Sequence, residues 1–313
     1  MVINVEAKIP EALLELIDDP SVTDICLAEG FAQVDSGAGL SATEKLALTE
    51  QELSALAKDL IELGGRRLDQ AVPFADVSLP GGIRVHAVLK SACSESTLIS
   101  IRLHSTNPLS LISLLTSSFA TSAQSDLIQE IARSGESFLI SGATGTGKTT
   151  LLRAMLSETT ERVIAVEDLT ELSGQNIVCL QTKPKNIEGV GQITLDDLVH
   201  QALRMRPDRI CIGEVRGQEL IPMLQALNTG HRGATTLHAN SLEQVPERLL
   251  AIAAQQGISE GTLARLVVSA FEWVISLSSG PGGRAVSGIG KFEIIDERLV
   301  VISQLRTRKL QLA

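Results

Sequence analysis

The segment that most constrains this chain is Gly142-Ala143-Thr144-Gly145-Thr146-Gly147-Lys148-Thr149. It fits the pattern G-x-x-x-x-G-K-[ST] and stands between an apolar run, 137–141, and an apolar-periodic stretch, 148–158, that reads as a helix. The glycines let the backbone turn its N–H groups inward around a phosphate, and the helix N-terminus adds positive potential. Lys148 is placed to reach the β- and γ-phosphates, and the Thr149 hydroxyl offers a ligand to Mg²⁺. With Thr150 in the first helical turn, 142–150 form the expected nucleotide site. No NKxD-type segment is present to read guanine, so the expected nucleotide is ATP.

A P-loop needs a sheet behind it, and the pattern supplies one. From residue 126 onward strands and helices alternate, which predicts a mostly parallel sheet covered on both faces. Strands are expected at 137–141, 162–166, 177–181, 209–213 and 234–237, and helices at 148–158, 195–205, 218–228 and 242–255. A last hairpin runs from 273–278 through Gly280-Pro281-Gly282-Gly283 into 292–295. The first hundred residues read instead as a small α+β unit. Its helices are 11–18 and 49–63, the second with Thr49 and Glu52 as a capping box and Gly64-Gly65 as its stop. Its strands are 76–79, 83–89 and 98–104. A Ser/Thr-rich stretch, 105–125, holds Pro108 and little charge. The expected division is therefore an N-terminal domain over 1–104 and a P-loop domain over 105–313.

Composition narrows the class of function. The 313 residues are 44% hydrophobic and 20% charged, an ordinary globular mix that can bury a large core. Aromatics are 2%, with no Tyr and one Trp, so base stacking on aromatic platforms is excluded as a main mode of binding. The net charge of −10 argues against coating nucleic acid. Cys26, Cys93, Cys179 and Cys211 are scattered, without a CxxC pair, and read as reduced cytosolic thiols. The first ten residues carry no secretory signal, and the longest apolar run, 266–277, is interrupted by Glu272. A mean hydropathy of +0.20 points to large interfaces with subunits or partners.

Two predicted strands end in acids. The strand 209–213 runs into Glu214, in the layout of a Walker B strand, with Gly213 where many ATPases keep a metal-binding Asp. Glu214 is expected to reach the metal through water or to polarise the attacking water. The strand 162–166 runs into Glu167 and Asp168, with Glu171 one turn beyond, and ligands of open α/β sheets bind at that edge. Of the two, Glu214 is assigned to the metal and Glu167 to the water, with Glu167 a further candidate metal ligand. His238 ends another strand, where a neutral imidazole can hydrogen-bond a γ-phosphate and sense its loss. In the N-terminal unit Arg84 and His86 share one strand face, and Arg102 and His104 another. If those faces match, Arg84 and Arg102 can complete the phosphate site from outside the P-loop domain. A further basic group, Arg204, Arg206 and Arg209, is expected at a helix C-terminus, where cations suit the dipole.

These residues carry a resemblance. The P-loop, Val166-Glu167-Asp168 with Glu171, Asn186-Ile187-Glu188-Gly189, Ala202-Leu203-Arg204-Met205-Arg206-Pro207-Asp208-Arg209, Gly213-Glu214-Val215-Arg216-Gly217, Ala226-Leu227-Asn228-Thr229-Gly230-His231 and Leu237-His238-Ala239-Asn240 are similar to segments of the type II and type IV secretion ATPases. Within them the chain resembles the CpaF-like, Tad pilus-assembly branch, including its short conjugal-transfer-associated form, over 23–295. The resemblance implies a RecA-like P-loop ATPase domain, a Walker A motif at 142–149, an Asp box at 167–171, an atypical Walker B ending at Glu214, and a His box at His231 and His238. It also implies a homohexamer using ATP and Mg²⁺ at the cytoplasmic face of the inner membrane, on polytopic platform proteins. Arg84 and Arg102 take the role of the arginines that the N-terminal domain lends to the nucleotide. The chain departs from the branch at 172–177, where a histidine-rich stretch is usual, and its N-terminus is shorter. A motor acting on DNA is the alternative, and a nucleotide-sensing scaffold is disfavoured by the two acidic strand ends.

Overall fold

The computed structural model describes residues 9–36, 39–43, 46–91, 94–103, 110–116, 118–183, 185, 190–280 and 283–306. Cys93, His104, the stretch 105–109, the segment 186–189 and the turn residues Pro281 and Gly282 lie outside them. The chain forms two compact units, Met1–Asn107 and Pro108–Ala313.

The first unit contains α1 (Glu11–Asp18), β1 (Asp24–Ala28), β2 (Phe31–Asp35), β3 (Leu40–Thr43), α2 (Glu50–Leu63), β4 (Phe74–Leu79), β5 (Ile83–Val88) and β6 (Leu98–Leu103). They make one antiparallel sheet in the order β3-β2-β1-β6-β5-β4. Strands β1 to β3 were not expected; each is only four or five residues long. The capping box of α2 is formed: Glu52 N–H donates to Thr49 Oγ1, and Thr49 N–H donates to Glu52 Oε2 at 2.9 Å. Alternate strand residues such as Ile25, Val77, Val85, Ile99 and Ile101 join Leu53, Leu56, Leu60 and Ile61 of α2 in one core. The other sheet face is polar where it matters here. Arg102 lies in register between Asp24 and Arg84.

The second unit contains α3 (Leu111–Leu114), α4 (Ser122–Ser134), β7 (Phe138–Gly142), α5 (Lys148–Leu156), β8 (Val163–Glu167), β9 (Ile177–Gln181), α6 (Leu195–Ala202), β10 (Arg209–Val215), α7 (Leu220–Asn228) and β11 (Arg232–Leu237), then α8 (Val245–Ala254), α9 (Glu260–Ala270), β12 (Trp273–Gly280), β13 (Gly283–Ile295) and β14 (Arg298–Arg306). The eight strands lie in the order β14-β13-β12-β7-β11-β10-β8-β9. The six from β12 to β9 run parallel, and β13 and β14 extend the sheet antiparallel. Two cores cover the sheet, one under α6 to α9 and one under α3 to α5, so all five residues of β7 are buried.

Five elements differ from expectation. Helix α4 starts inside the Ser/Thr-rich stretch 105–125, because Thr121 and Gln124 form a capping box. Helix α9 and strand β14 were not foreseen. The helix expected over 195–205 tightens to a 3₁₀ turn after Ala202, and the one expected over 242–255 begins as a 3₁₀ turn, with Pro246 opening α8. Among the described residues, no helix is long and apolar enough to cross a membrane.

Candidate active site

Strand order explains which residues meet. In the chain the strand ends come in the order Gly142, Glu167, Glu214, His238; in the sheet β7, β11, β10 and β8 are neighbours in that sequence. The C-terminal edge therefore presents the P-loop, His238, Glu214 and Glu167 side by side, about 4.8 Å per strand. A Cβ at Gly142 would lie 2.5 Å from Thr146 Oγ1 and 2.9 Å from the Leu277 carbonyl oxygen, so the turn into Ala143 and Thr144 is closed to a side chain. Gly145 and Gly147 have φ of +77° and +93°. Gly147 is the N-cap of α5 and supplies no side-chain cap, so the first N–H groups of that helix, at Lys148, Thr149 and Thr150, are presented to the loop. The cradle suits a phosphate, and the half-buried Thr149 hydroxyl beside it suits Mg²⁺.

Lys148 is 7% exposed. Its Nζ donates to the carbonyl oxygens of Gly142 and Ala143, each at 3.0 Å, and lies 3.1 Å from His238 Nδ1. Burial pushes the Lys148 ammonium below its ordinary pKa, and the carboxylates of Glu214 and Glu171 oppose that shift. The other ring nitrogen of His238, Nε2, lies 3.1 Å from Glu214 Oε1.

Glu214 reaches His238 because β10 is bulged. Ile212 pairs with Thr235 but Val215 with Leu237, three steps against two. Ile212 and Val215, an odd number apart, accordingly bury in the same core. The hydroxyl of Thr236 donates to the Gly213 carbonyl oxygen at 2.7 Å and fixes the bulge.

Glu167 is in a different situation from Glu214. It is 4% exposed, and its carboxylate accepts the N–H groups of Glu171, at 3.2 Å, and of Leu172, at 3.1 Å. It holds its own loop closed. A Cβ at Gly213 would stand 3.0 Å from Glu167 Cγ and 3.1 Å from its Oε1, which accounts for the glycine where an Asp was looked for. Burial first, and the Glu167 charge second, push the Cys179 thiol up to about 11 and that of Cys211 well above the usual thiol range. Neither is a nucleophile at neutral pH.

The two histidines of the expected His box do not sit together. His231 precedes β11 and His238 follows it, so the six-residue strand separates them by about 20 Å. His231 lines a polar cavity of about 320 Å³ with Glu136, Glu272 and Arg232 at the opposite sheet edge. Arg209 also departs from its reading as a helix-end cation. It is 1% exposed, donates through Nε to Glu161 Oε2 at 2.7 Å and through Nη1 to the Glu136 and Gly233 carbonyl oxygens, and lies over the Phe138 ring. In the first unit, Arg84 and Arg102 are partners in register, so the condition that the two strand faces match is met. Arg102 Nε donates to Asp24 Oδ1 at 2.9 Å, and His86 Nδ1 lies 2.8 Å from Asp76 Oδ1. Sequence reasoning gave no role to Thr236, Glu219 or Arg216; only Arg216 carried a signal, its place in the segment 213–217 two residues past Glu214.

The family model described as "Type II/IV secretion system protein" matches residues 47–279. Over 281 residues the chain is 37% identical to a Mycobacterium tuberculosis protein, Rv3659c, whose name assigns it provisionally to conjugal transfer, covering 86% of this chain and 80% of the relative. It is 30% identical over 308 residues to the type IV secretion system protein PtlH of Bordetella pertussis, covering 88% of this chain and 91% of PtlH. Among solved structures, the pilus retraction motor PilT with bound ADP superposes with a TM-score of 0.63 at 18% identity, over 94% of this chain and 83% of PilT, a likeness of fold.

Proposed function

Because the chain belongs to the type II/IV secretion system protein family, we propose that it is an ATP-hydrolysing motor, built on a RecA-like P-loop domain and working as a homohexamer. It powers assembly of a Tad/Flp-type pilus, or secretion of the type II or type IV kind, through polytopic platform proteins at the cytoplasmic face of the inner membrane. One observation carries the hydrolytic part: the contacts that run from Lys148 through His238 to Glu214, linking a phosphate-binding cation to an acid.

In this reading the loop 142–150 holds the triphosphate, and Lys148 exchanges its carbonyl partners for phosphate oxygens. Mg²⁺ would be held by Thr149, with Glu214 behind it through water, and would neutralise phosphate charge. Glu214 accepts the proton of the attacking water, and His238, released by Lys148, hydrogen-bonds the terminal phosphate. Glu167, expected from the sequence to polarise the water and to be a further metal ligand, in this reading keeps the Asp-box loop in place beside them, and the water falls to Glu214. Arg84 and Arg102 bring guanidinium groups to the phosphates from the N-terminal unit of the same subunit or a neighbouring one. Their affinity for ATP exceeds that for ADP, and this difference turns hydrolysis into movement. Steady-state ATP hydrolysis by the purified chain, abolished in Lys148→Ala, tests the reading; a wild-type protein that neither binds nor hydrolyses ATP refutes it.

The conjugal-transfer name of the mycobacterial relative favours a second reading, an ATPase serving DNA transfer. Stimulation of hydrolysis by DNA at physiological salt would select it, and the net charge of −10 weighs against it.

A further inference from the structure

Glu214 stands on a strand segment that its neighbour does not hold. The parallel ladder between β10 and β8 ends at Ile212 opposite Val166, just before the bulge. Beyond it, among the described residues, the ladder of β10 continues on the β11 side only, at Val215 and Leu237. A side-chain link takes over where the ladder stops. Arg216 Nη2 is ion-paired with Asp168 Oδ2, and the hydroxyl of Thr182, just past β9, donates to Asp168 Oδ1 at 3.1 Å. The backbone under Arg216 is itself fixed. Glu219, 5% exposed, accepts the N–H groups of Arg216 at 2.6 Å and Gly217 at 2.7 Å, and Gln256 Nε2 donates to the Gly217 carbonyl oxygen at 3.2 Å. Arg216 is therefore a rigid stub carrying one movable arm.

We infer that Arg216 and Asp168 are a positioning pair that fixes the segment bearing Glu214 against the loop bearing Glu171, and so sets where the Glu214 carboxylate stands during hydrolysis. The inference rests on the ATPase reading for its catalytic consequence, but not for its mechanical one. Both side chains are well exposed, at 59% and 39%, so the pair adds little to global stability. What it supplies is alignment between two loop segments that no backbone hydrogen bond joins in the β10–β8 ladder.

Two measurements on the full chain test it. In nucleotide-free protein, hydrogen exchange should rise in peptides covering 168–172 when Arg216 is changed to Ala, and in peptides covering 213–217 when Asp168 is changed to Ala. Exchange that rises only around the substituted residue overturns the pair, whatever the enzyme does. In ATP hydrolysis, Arg216→Ala and Asp168→Ala should each lower kcat about tenfold, with ATP affinity and melting temperature little moved, and the double variant should be no worse than either. Arg216→Lys, which keeps the charge and loses the fork, should recover part of the rate. Losses that multiply in the double variant, or single variants with wild-type kcat, overturn the inference while leaving the ATPase reading intact. Absence of hydrolysis in the wild type, with the exchange pattern as expected, overturns the ATPase reading alone.

Discussion

Lys148 and Glu214 are joined through one imidazole: Lys148 Nζ lies 3.1 Å from Nδ1 of His238, and Glu214 Oε1 lies 3.1 Å from Nε2. An ammonium has only donors, so Nδ1 must accept and the ring proton sits on Nε2, from which it is donated to the carboxylate. One ring thus bridges the cation of the P-loop and the acid of β10. On the proposed reading, a phosphate in the P-loop would draw Lys148 away and free the ring.

Lys148→Ala should abolish hydrolysis and leave the fold intact, since the ammonium neutralises phosphate rather than packing the core. Calorimetry or a thermal-shift assay should show wild-type stabilisation of about 2.7 kcal/mol at a hundredfold excess of Mg-ATP over Kd, lost in the variant. The pH dependence has a definite sign. Burial holds the folded pKa of Lys148 below its unfolded value, so between the two the unfolded chain binds more protons. Stability from this residue rises with pH through that alkaline window and is lowest below it. Urea melts of Lys148→Met without nucleotide should lack that rise.

The two strand-end acids should separate cleanly. Glu214→Gln should lower kcat by about 10² to 10⁴ with ATP still bound and the melting temperature little changed. Glu167→Gln should instead cost about 1–2 kcal/mol of stability, because it removes the charge from the buried acceptor that holds the N–H groups of Glu171 and Leu172. Equal melting temperatures for wild type and Glu167→Gln would contradict the loop-holding role.

Arg102→Ala should nearly silence hydrolysis, by about 10³ in kcat, and Arg84→Ala should weaken it, with ATP affinity retained by the P-loop. Asp24→Ala separates structure from chemistry, since it removes the partner of Arg102 and leaves its charge. It should keep most of the activity; an equal loss in Asp24→Ala and Arg102→Ala would make the arginine a strand-face ion pair and nothing more.

Gly213→Ala should destabilise the protein by about 1–3 kcal/mol, because the added methyl meets a carboxylate fixed by two N–H donors. In a Glu167→Ala background the same change should cost less, which denaturant midpoints of the four variants would show.

Much of this was legible in the chain, for identifiable reasons. The P-loop, the helix α5 and the capped start of α2 are local patterns, with their physics inside a few residues. Strand alternation put Arg84 and Arg102 each on the polar face of its strand, while their pairing in register depended on which strands are neighbours. What was not legible depends on strand order. The strand expected over 234–237 already stands between the two histidines, but nothing in the run from Thr229 to Asn240 says that β11 is inserted between β7 and β10 and brings His238 to both Lys148 and Glu214. Likewise Glu167 and Glu214 look alike as acids ending apolar strands. Only the loop folding back over Glu167 makes one a buried acceptor and leaves the other half-open. Helix α9 was missed because its apolar residues run on into β12, and periodicity alone does not mark where the chain changes from one to the other.

The bulge in β10 makes a length into a functional quantity. With strict alternation, Glu214 would turn to the same side as Ile212, toward the core; the additional residue turns it over and lets Val215 resume the buried row. The reach of this acid is therefore written in the spacing between two hydrophobic residues, 212 and 215, as much as in its own carboxylate. Comparisons that align only the acid and ignore that spacing would count as equivalent two strands that point their carboxylates in opposite directions.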